Sequence, residues 1–333
     1  MGKTAICAGR TDGLKDLQMD DARKIDLLFE SQLRDWELAS VNYHDLSKVK
    51  IKSFFFENFE ITLQFNPKRM LSSAAKIDAR SIEARPCFLC PHNRPVHQQG
   101  IIFRDDYIIL VNPFPIFTKH LTVPSLLHKA QLIRDNFEDM LHLARALPGY
   151  VVFYNGPLCG ASAPDHFHFQ AGLKGLMPVE RDFFNPGRCV FIDQHNGIKL
   201  YRWQLYLRNL LTMQGNDLSA LAGFFNKLYA QLQVLHTGSD EPMMNILAWF
   251  EKDEWIIHVF PRKMHRPSQY FEEGSRRIVI SPASVDLGGA FIVPRQEDFE
   301  KIRSEDIADI LSQVCFDDKS FLEMLHSLGI RNR

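Results

Sequence analysis

Hydrophobic positions along this chain follow two rhythms. Between residues 20 and 40, Ile25, Leu28, Phe29, Leu33 and Trp36 recur at three- and four-residue steps, which predicts an amphipathic helix. VKIKSFFF and EITLQFNP flank Glu57-Asn58-Phe59 and predict a β-hairpin. The polar stretch RMLSSAAKIDARSIEARP is irregular and leads into Cys87. YIILVNPFPIF and HLTVP predict short strands punctuated by prolines. Ile133, Phe137, Met140, Leu141 and Ala144 mark a second amphipathic helix, which Pro148-Gly149 should end. YVVFYNGP and HFHFQAGL then predict two strands with a Gly-rich connection. NPGRCVFIDQHNG is rich in turn formers, and a boundary is set there, near residue 186. A helix around 216–235 follows, then the hairpin MMNILAWF/WIIHVFP turning at EKDE, then helices near 296–314 and 319–328. Strand pairs mixed with lone helices, without a steady βαβ rhythm, predict an α+β chain with antiparallel sheet.

Composition narrows the class. At roughly 150 residues per domain, 333 residues make about two domains or one large one. A hydrophobic share of 45% with 24% charged residues excludes disordered and low-complexity chains. Lys plus Arg (39) against Asp plus Glu (40) leaves a net charge of −1, so there is no basic excess for wrapping nucleic acid. A local basic pocket would still hold a single nucleotide. The N-terminus MGKTAICAGRTDGLKD lacks the apolar core of a signal peptide, and no apolar run reaches membrane-spanning length. The expectation is therefore a cytoplasmic chain with no membrane partner. Of six cysteines only Cys87 and Cys90 are close in sequence. In a reducing compartment such a pair suggests a metal or redox chemistry before a structural disulfide.

The chemistry concentrates in Asp165-His166-Phe167-His168-Phe169-Gln170. In a strand, His166, His168 and Gln170 would share one face, neighbours about 6.6 Å apart, with both phenylalanines on the other. The Phe face can anchor in a core while the His face meets a ligand. Just upstream, Asn155-Gly156 and Cys159-Gly160-Ala161-Ser162 supply small residues whose backbone can approach a phosphate. A half-buried strand with solvent-facing histidines is the competing reading. Cys87-Phe88-Leu89-Cys90 can share one tetrahedral Zn²⁺ if two ligands arrive from elsewhere. A redox pair or two unremarkable cysteines are the alternatives, and the prolines at 86, 91 and 95 favour a loop knuckle over a thioredoxin-like helix start. No GxGxxG or Walker A pattern announces an organic cofactor.

Taken together, CFLCPHN, HLTVPSLLH and NGPLCGASAPDHFHFQ resemble the histidine-triad superfamily, in particular galactose-1-phosphate uridylyltransferase, GDP-hexose phosphorylases and diadenosine tetraphosphate phosphorylases. HFHFQA and Met177-Pro178-Val179-Glu180 look most like the GDP-hexose phosphorylases and CFLC like the uridylyltransferase, a combination that points to a bacterial branch with both. The resemblance is convincing over about 60–185. It implies two histidine-triad-like halves, 1–186 with the knuckle and nucleophile and 187–333 as a degenerate copy, each an antiparallel sheet with flanking helices. His168 matches the nucleophile that takes up a nucleoside monophosphate, and Gln170 the residue that hydrogen-bonds the transferring phosphoryl group. His166, Cys87, Cys90 and His128 match the ligands of a structural zinc. Asn155 and Ser162 match the residues that orient nucleophile and phosphate, with Gly160 between them. One departure is Asp165, inserted between Pro164 and His166.

A neutral imidazole can attack phosphorus and so divide one displacement into two. Gln170 cannot supply a proton, which suits a phosphate leaving group. The expected partners are a nucleotide sugar or dinucleoside polyphosphate and phosphate or a sugar phosphate, in an enzyme the resemblance also implies is a homodimer. A dinucleoside polyphosphate phosphorylase, a histidine-triad hydrolase and a non-catalytic zinc-stabilised nucleotide-binding protein are the alternatives. Anion contacts are expected from Lys119, beside His120, from Arg69, and from Arg262 and Lys263 in PRKMHRP, unless that segment is a solvated basic turn. His258, between Ile257 and Val259, reads as a satisfied structural histidine.

Overall fold

The computed structural model of the chain describes residues 22–70, 78–185, 187–236 and 238–330. Part of the irregular stretch before Cys87, residues 71–77, and Cys7 lie outside them. The N-terminal periodicity forms two helices, α1 (Ala22–Asp35) and α2 (Glu37–Leu46), parted by the extended backbone of Trp36. The first hairpin is β1 (Lys50–Phe55) and β2 (Glu60–Phe65), antiparallel as its pattern predicts.

The next strands are β3 (Gly100–Phe103), β4 (Tyr107–Val111), β5 (His120–Pro124), β6 (Tyr150–Asn155) and β7 (His168–Leu173), with helix α3 (Phe137–Ala146) between β5 and β6. The second half repeats the plan with β8 (Cys189–His195), β9 (Ile198–Trp203), β10 (Leu211–Gly215), helix α4 (Leu218–Leu235), β11 (Met244–Glu251) and β12 (Glu254–Pro261). The hydrophobic pattern did not predict β3, β9 and β10. β8 corrects the turn-rich reading of NPGRCVFIDQHNG: Asn196 and Gly197 both have positive φ (48° and 83°) and turn a β8–β9 hairpin. The chain ends with β13 (Ala290–Val293), a short helix Gln296–Lys301, α5 (Ser304–Val314) and α6 (Asp318–Ser327). The single helix expected over 296–314 breaks at Ile302, whose ψ is 132°, and restarts where Asp306 accepts the Arg303 N–H.

Ten strands form one sheet in the order β3-β4-β5-β7-β6-β11-β12-β10-β9-β8. β6 and β11 join the halves, pairing Asn155 with Asn245 and Phe153 with Leu247. The hairpin β1–β2 pairs instead with β13, in parallel, so the N-terminal hairpin belongs spatially with the C-terminal segment. Register aligns the two halves position by position. Gln170 lies between Thr122 and Phe153 in the first half, and His258 between Thr212 and Leu247 in the second. Ile256 therefore stands where the first half has His168.

The sheet has two unlike faces. On one, α1, α3, α4 and α6 pack Leu28, Phe137, Phe225 and Phe321 over Val152, Phe167, Phe169 and Ile257. On the other, the three-stranded sheet and α5 pack Ile61, Leu63, Phe291 and Leu311 around Phe153, Leu247 and Trp249. The candidate site opens on this second face.

Candidate active site

Strand β7 begins at His168, two residues later than the period-two pattern suggests. Phe167 and Phe169 are sunk in the helix-covered core, each burial contributing about 2–3 kcal/mol, and this turns His168 and Gln170 to the opposite face. His166 lies in the turn before the strand, its N–H on the Ala163 carbonyl. The expected row of three therefore splits: His168 and Gln170 face the site, and His166 faces the cysteines.

His168 Nδ1 lies 2.8 Å from the carbonyl oxygen of His166. A carbonyl only accepts, so the proton sits on Nδ1 and Nε2 carries the lone pair. Burial lowers the ring to about 4, so it is neutral at pH 7. Its backbone is held by a residue that the sequence did not single out. Gln131 accepts the His168 N–H through Oε1 (2.8 Å), and its amide N–H groups donate to the carbonyls of His168 (2.9 Å) and Asn155 (3.1 Å). The β6–β7 ladder ends at Phe153–Gln170, and the Gln131 amide fills the gap beyond it. Nothing local marks a lone Gln in a loop for such a role. Gln131→Leu strands three buried backbone groups and should cost about 2–5 kcal/mol in denaturant unfolding. A loss below about 1 kcal/mol would refute this account.

Behind Gln131 sits Glu241 from the second half. Tyr154 Oη is 2.8 Å from the Gln131 carbonyl and 2.5 Å from Glu241 Oε1, while Glu241 Oε2 accepts the Ile133 N–H. Tyr154 has one proton for two acceptors, and a protonated Glu241 resolves the conflict by donating to Tyr154, which donates onward. Burial accordingly raises Glu241 to about 8. A carboxyl raised in the folded state binds a proton that the unfolded chain releases, so stability falls as pH rises from the ordinary carboxyl range to about 8. Relative to Glu241→Gln, the wild type should lose on the order of 2 kcal/mol of unfolding free energy between pH 6 and 8. Parallel pH profiles for the two proteins would contradict it.

A cavity in front of the sheet is lined by Gln170, Asn155, Gly160, Ser162 and Arg69, with Asp286, Ser281 and Ala283 opposite. Five expected residues thus meet, and the facing wall comes from the C-terminal segment. Gly160 is needed there: its φ is +94°, and a Cβ would lie 2.5 Å from that of Ala283. His168, 4% exposed, is not itself part of this lining; it lies two residues before Gln170 on the same face of β7. Asn155 Oδ1 accepts from Asn245 Nδ2 (3.0 Å) and the Ser284 N–H (2.9 Å), which leaves its NH₂ for the cavity. Arg69 donates to the Phe114 carbonyl, and burial lowers it to about 10, so it stays cationic. Burial raises Asp286 to about 6, against the N–H groups of Ala283 and Ile292 that it accepts.

Three expected anion contacts are corrected. Arg262 is fully buried, and its five N–H donors go to Asn245 Oδ1 and the carbonyls of Val314, Pro282, Met264 and His265. No donor remains for a substrate. The residue instead orients Asn245, and through it Asn155. Lys119 precedes His120 at the start of β5 and projects the other way, onto Asp26 of α1. Lys263 alternates with Arg262 and pairs with Asp317 at 3.8 Å. His258 is buried among Phe183, Trp203 and Trp249 with Nδ1 on Thr212, although its Nε2 finds no partner.

Cys87, Cys90, His128 and His166 converge, their ligand atoms all within 4.8 Å of one another. Cys87 Sγ–His166 Nδ1 is 3.3 Å, Cys90 Sγ–His128 Nδ1 3.2 Å and Cys90 Sγ–His166 Nδ1 3.5 Å. A tetrahedral zinc with ordinary bond lengths sets such edges at about 3.6 Å. His166 Nε2 donates to the Ser125 carbonyl (2.8 Å), which frees Nδ1 as a ligand. The inserted Asp165 stands 3.9 Å from His128 Nε2 and is held by Arg85. The two cysteines are not joined to each other, and a 3₁₀ turn from Pro91 follows them where a redox pair would open a helix. The donor set fits a closed metal site.

Residues 28–173 match the family described as a domain of unknown function (DUF4922), and residues 183–328 match the GDPGP1-like, C-terminal domain. No curated protein matches in sequence. Among solved structures, yeast Ap4A phosphorylase Apa2 aligns over 84% of this chain and 94% of its own, with a TM-score of 0.52 at 17% identity. The chain has the Ap4A phosphorylase fold. The AMP complex of Apa2 aligns over 86% and 97%, with a TM-score of 0.51 at 18% identity. The fold expected from the motifs is therefore the one found, and the two similar halves belong to it. Among the described residues no helix is long and apolar enough to cross a membrane.

Proposed function

We propose that the chain is a nucleotidyltransferase that moves a nucleoside monophosphate from a nucleotide sugar, through His168, onto phosphate or a sugar phosphate. The observation that carries this reading is the tautomer of His168: its Nδ1–H is tied to the His166 carbonyl, so the neutral ring keeps its lone pair on Nε2, on the strand face it shares with Gln170. In the first step Nε2 bonds to the α-phosphorus as the P–O bond to the leaving group breaks, and a sugar phosphate departs with that electron pair. In the second, an oxygen of the acceptor phosphate attacks the same phosphorus and the P–N bond breaks, returning the neutral ring. The Asn155 NH₂ and Arg69 supply donors and positive charge where phosphoryl oxygens gain charge. Gln170 has no proton to lose, so a leaving group that is stable as an anion is required.

The metal cluster would hold Zn²⁺ through Cys87, Cys90, His128 and His166. With four protein ligands such an ion keeps the turn before β7 in place. We assign the reaction to a cytoplasmic homodimer, with residues 1–186 carrying the nucleophile and 187–333 supplying the facing wall.

A dinucleoside polyphosphate as donor is the second reading, favoured by the fold shared with an Ap4A phosphorylase. A phosphorolysis screen decides between them. GDP-, UDP- and ADP-sugars and diadenosine tetraphosphate are each incubated with inorganic phosphate. The expected products from a sugar donor are a nucleoside diphosphate and a sugar 1-phosphate. Turnover of the tetraphosphate alone selects the second reading. Phosphate-independent release of a monophosphate marks a hydrolase, and no turnover at all leaves a binding protein.

A further inference from the structure

A carboxamide can face a phosphoryl group in two ways, and only one of them attracts it. With NH₂ forward, Gln170 donates to the phosphoryl oxygens. With Oε1 forward, it repels them. The choice rests on what holds the rear of the amide, and His120 is there.

His120 Nε2 lies 3.0 Å from Gln170 Oε1, and its Nδ1 lies 3.3 Å from the backbone nitrogen of Ile116. The Ile116 N–H can only donate, so Nδ1 must accept and the ring proton must sit on Nε2. An Nε2–H facing Gln170 requires an acceptor, which places Oε1 toward His120 and the NH₂ toward the cavity. The flipped amide would set two donors against each other inside the protein. This assignment follows from a backbone donor whose identity is unambiguous.

The ring is built to stay in place. His120 is fully buried, with Phe117 edge-on at 5.3 Å and Phe153 stacked at 5.9 Å. Gly172, two residues beyond Gln170 on the same face, makes room for that wall, since a Cβ there would come within 2.3 Å of the Phe117 ring. The carbonyl of His120 accepts from Tyr43 Oη (3.0 Å) and from the Asn112 N–H (2.9 Å). Burial, and after it the Arg69 charge, holds the ring neutral, down to about 3.

We propose that His120 is a positioning residue that locks the Gln170 carboxamide with its NH₂ toward the transferring phosphoryl group. The inference rests on the nucleotidyl transfer proposed above, and it requires no contact between His120 and substrate.

Two measurements test it. Nitrogen-15 NMR of histidine-labelled wild type at pH 7 should show His120 as the neutral Nε2–H tautomer. The Nδ1–H tautomer or an imidazolium overturns the proposal. On the best donor from the phosphorolysis screen, His120→Phe fills the space without a donor and should lower kcat about a hundredfold, as expected for losing one preorganised donor, while KM changes less than about threefold. His120→Gln, which can accept from Ile116 and donate to Gln170, should recover most of kcat. Unchanged kcat in His120→Phe, or a KM effect that carries the whole loss, overturns it. A wild type inactive on every donor but showing the Nε2–H tautomer refutes the proposed reaction, and the tautomer still supports the orientation of Gln170.

Discussion

Replacing His168 with Ala should abolish covalent capture of a nucleoside monophosphate. Incubated with its donor in the absence of phosphate, the wild type should gain the mass of one nucleoside monophosphate, and the variant none. Turnover should fall by at least about 10³-fold, since both chemical steps pass through Nε2 and no neighbouring group replaces it. The structure predicts a clean variant. The position is held by its backbone, through Gln131, and the ring itself makes one hydrogen bond, to the His166 carbonyl. Cooperative unfolding should therefore survive, which separates loss of chemistry from loss of fold. A His168→Ala protein that still labels, or still turns over at a tenth of the wild-type rate, ends the covalent account.

Replacing Cys87 and Cys90 together with Ser should remove about one zinc per chain and destabilise the first half by at least about 3 kcal/mol, a fraction of what structural zinc contributes to small domains. Activity should fall with it, although none of the four ligands lines the cavity. His166 provides the route. Its Nδ1 faces the two sulfurs, its Nε2 donates to Ser125, and its carbonyl accepts the Nδ1–H of the nucleophile. Freeing the ring loosens the carbonyl that sets the tautomer of His168. Elemental analysis, denaturant unfolding and the phosphorolysis rate read the three effects separately. Metal-free wild type as stable and active as the zinc-loaded protein would refute this role.

Local geometry made much of the site legible. The alternation in Phe167-His168-Phe169-Gln170 requires only a pleated strand with one face in a core, and both phenylalanines are in that core. The two-residue gap between Cys87 and Cys90 is enough to bring two sulfurs to one point, and the Lys252-Asp253 turn of the β11–β12 hairpin is readable from its flanking strands. One local signal in the turn-rich segment near the boundary belonged to a strand pair instead: Asn196-Gly197 is the turn of the β8–β9 hairpin.

The sequence by itself determined the α+β class, the shared strand face of His168 and Gln170, and the Cys87–Cys90 pair, because each follows from spacing within a short segment, whereas His128 and His166 joined that pair only through the resemblance. Tertiary structure alone decided which donors reach the cavity. Arg262 and Arg69 look alike in sequence, but one gives all five of its donors to protein acceptors while the other lines the pocket. Gln131, Ser284 and Glu241 act on residues 24 to 130 positions away, and the direction of the Gln170 amide depends on the Ile116 N–H behind His120. Charge and hydrogen-bonding capacity are carried by residue type. Where they point is settled only when distant segments pack and each buried donor must find its acceptor.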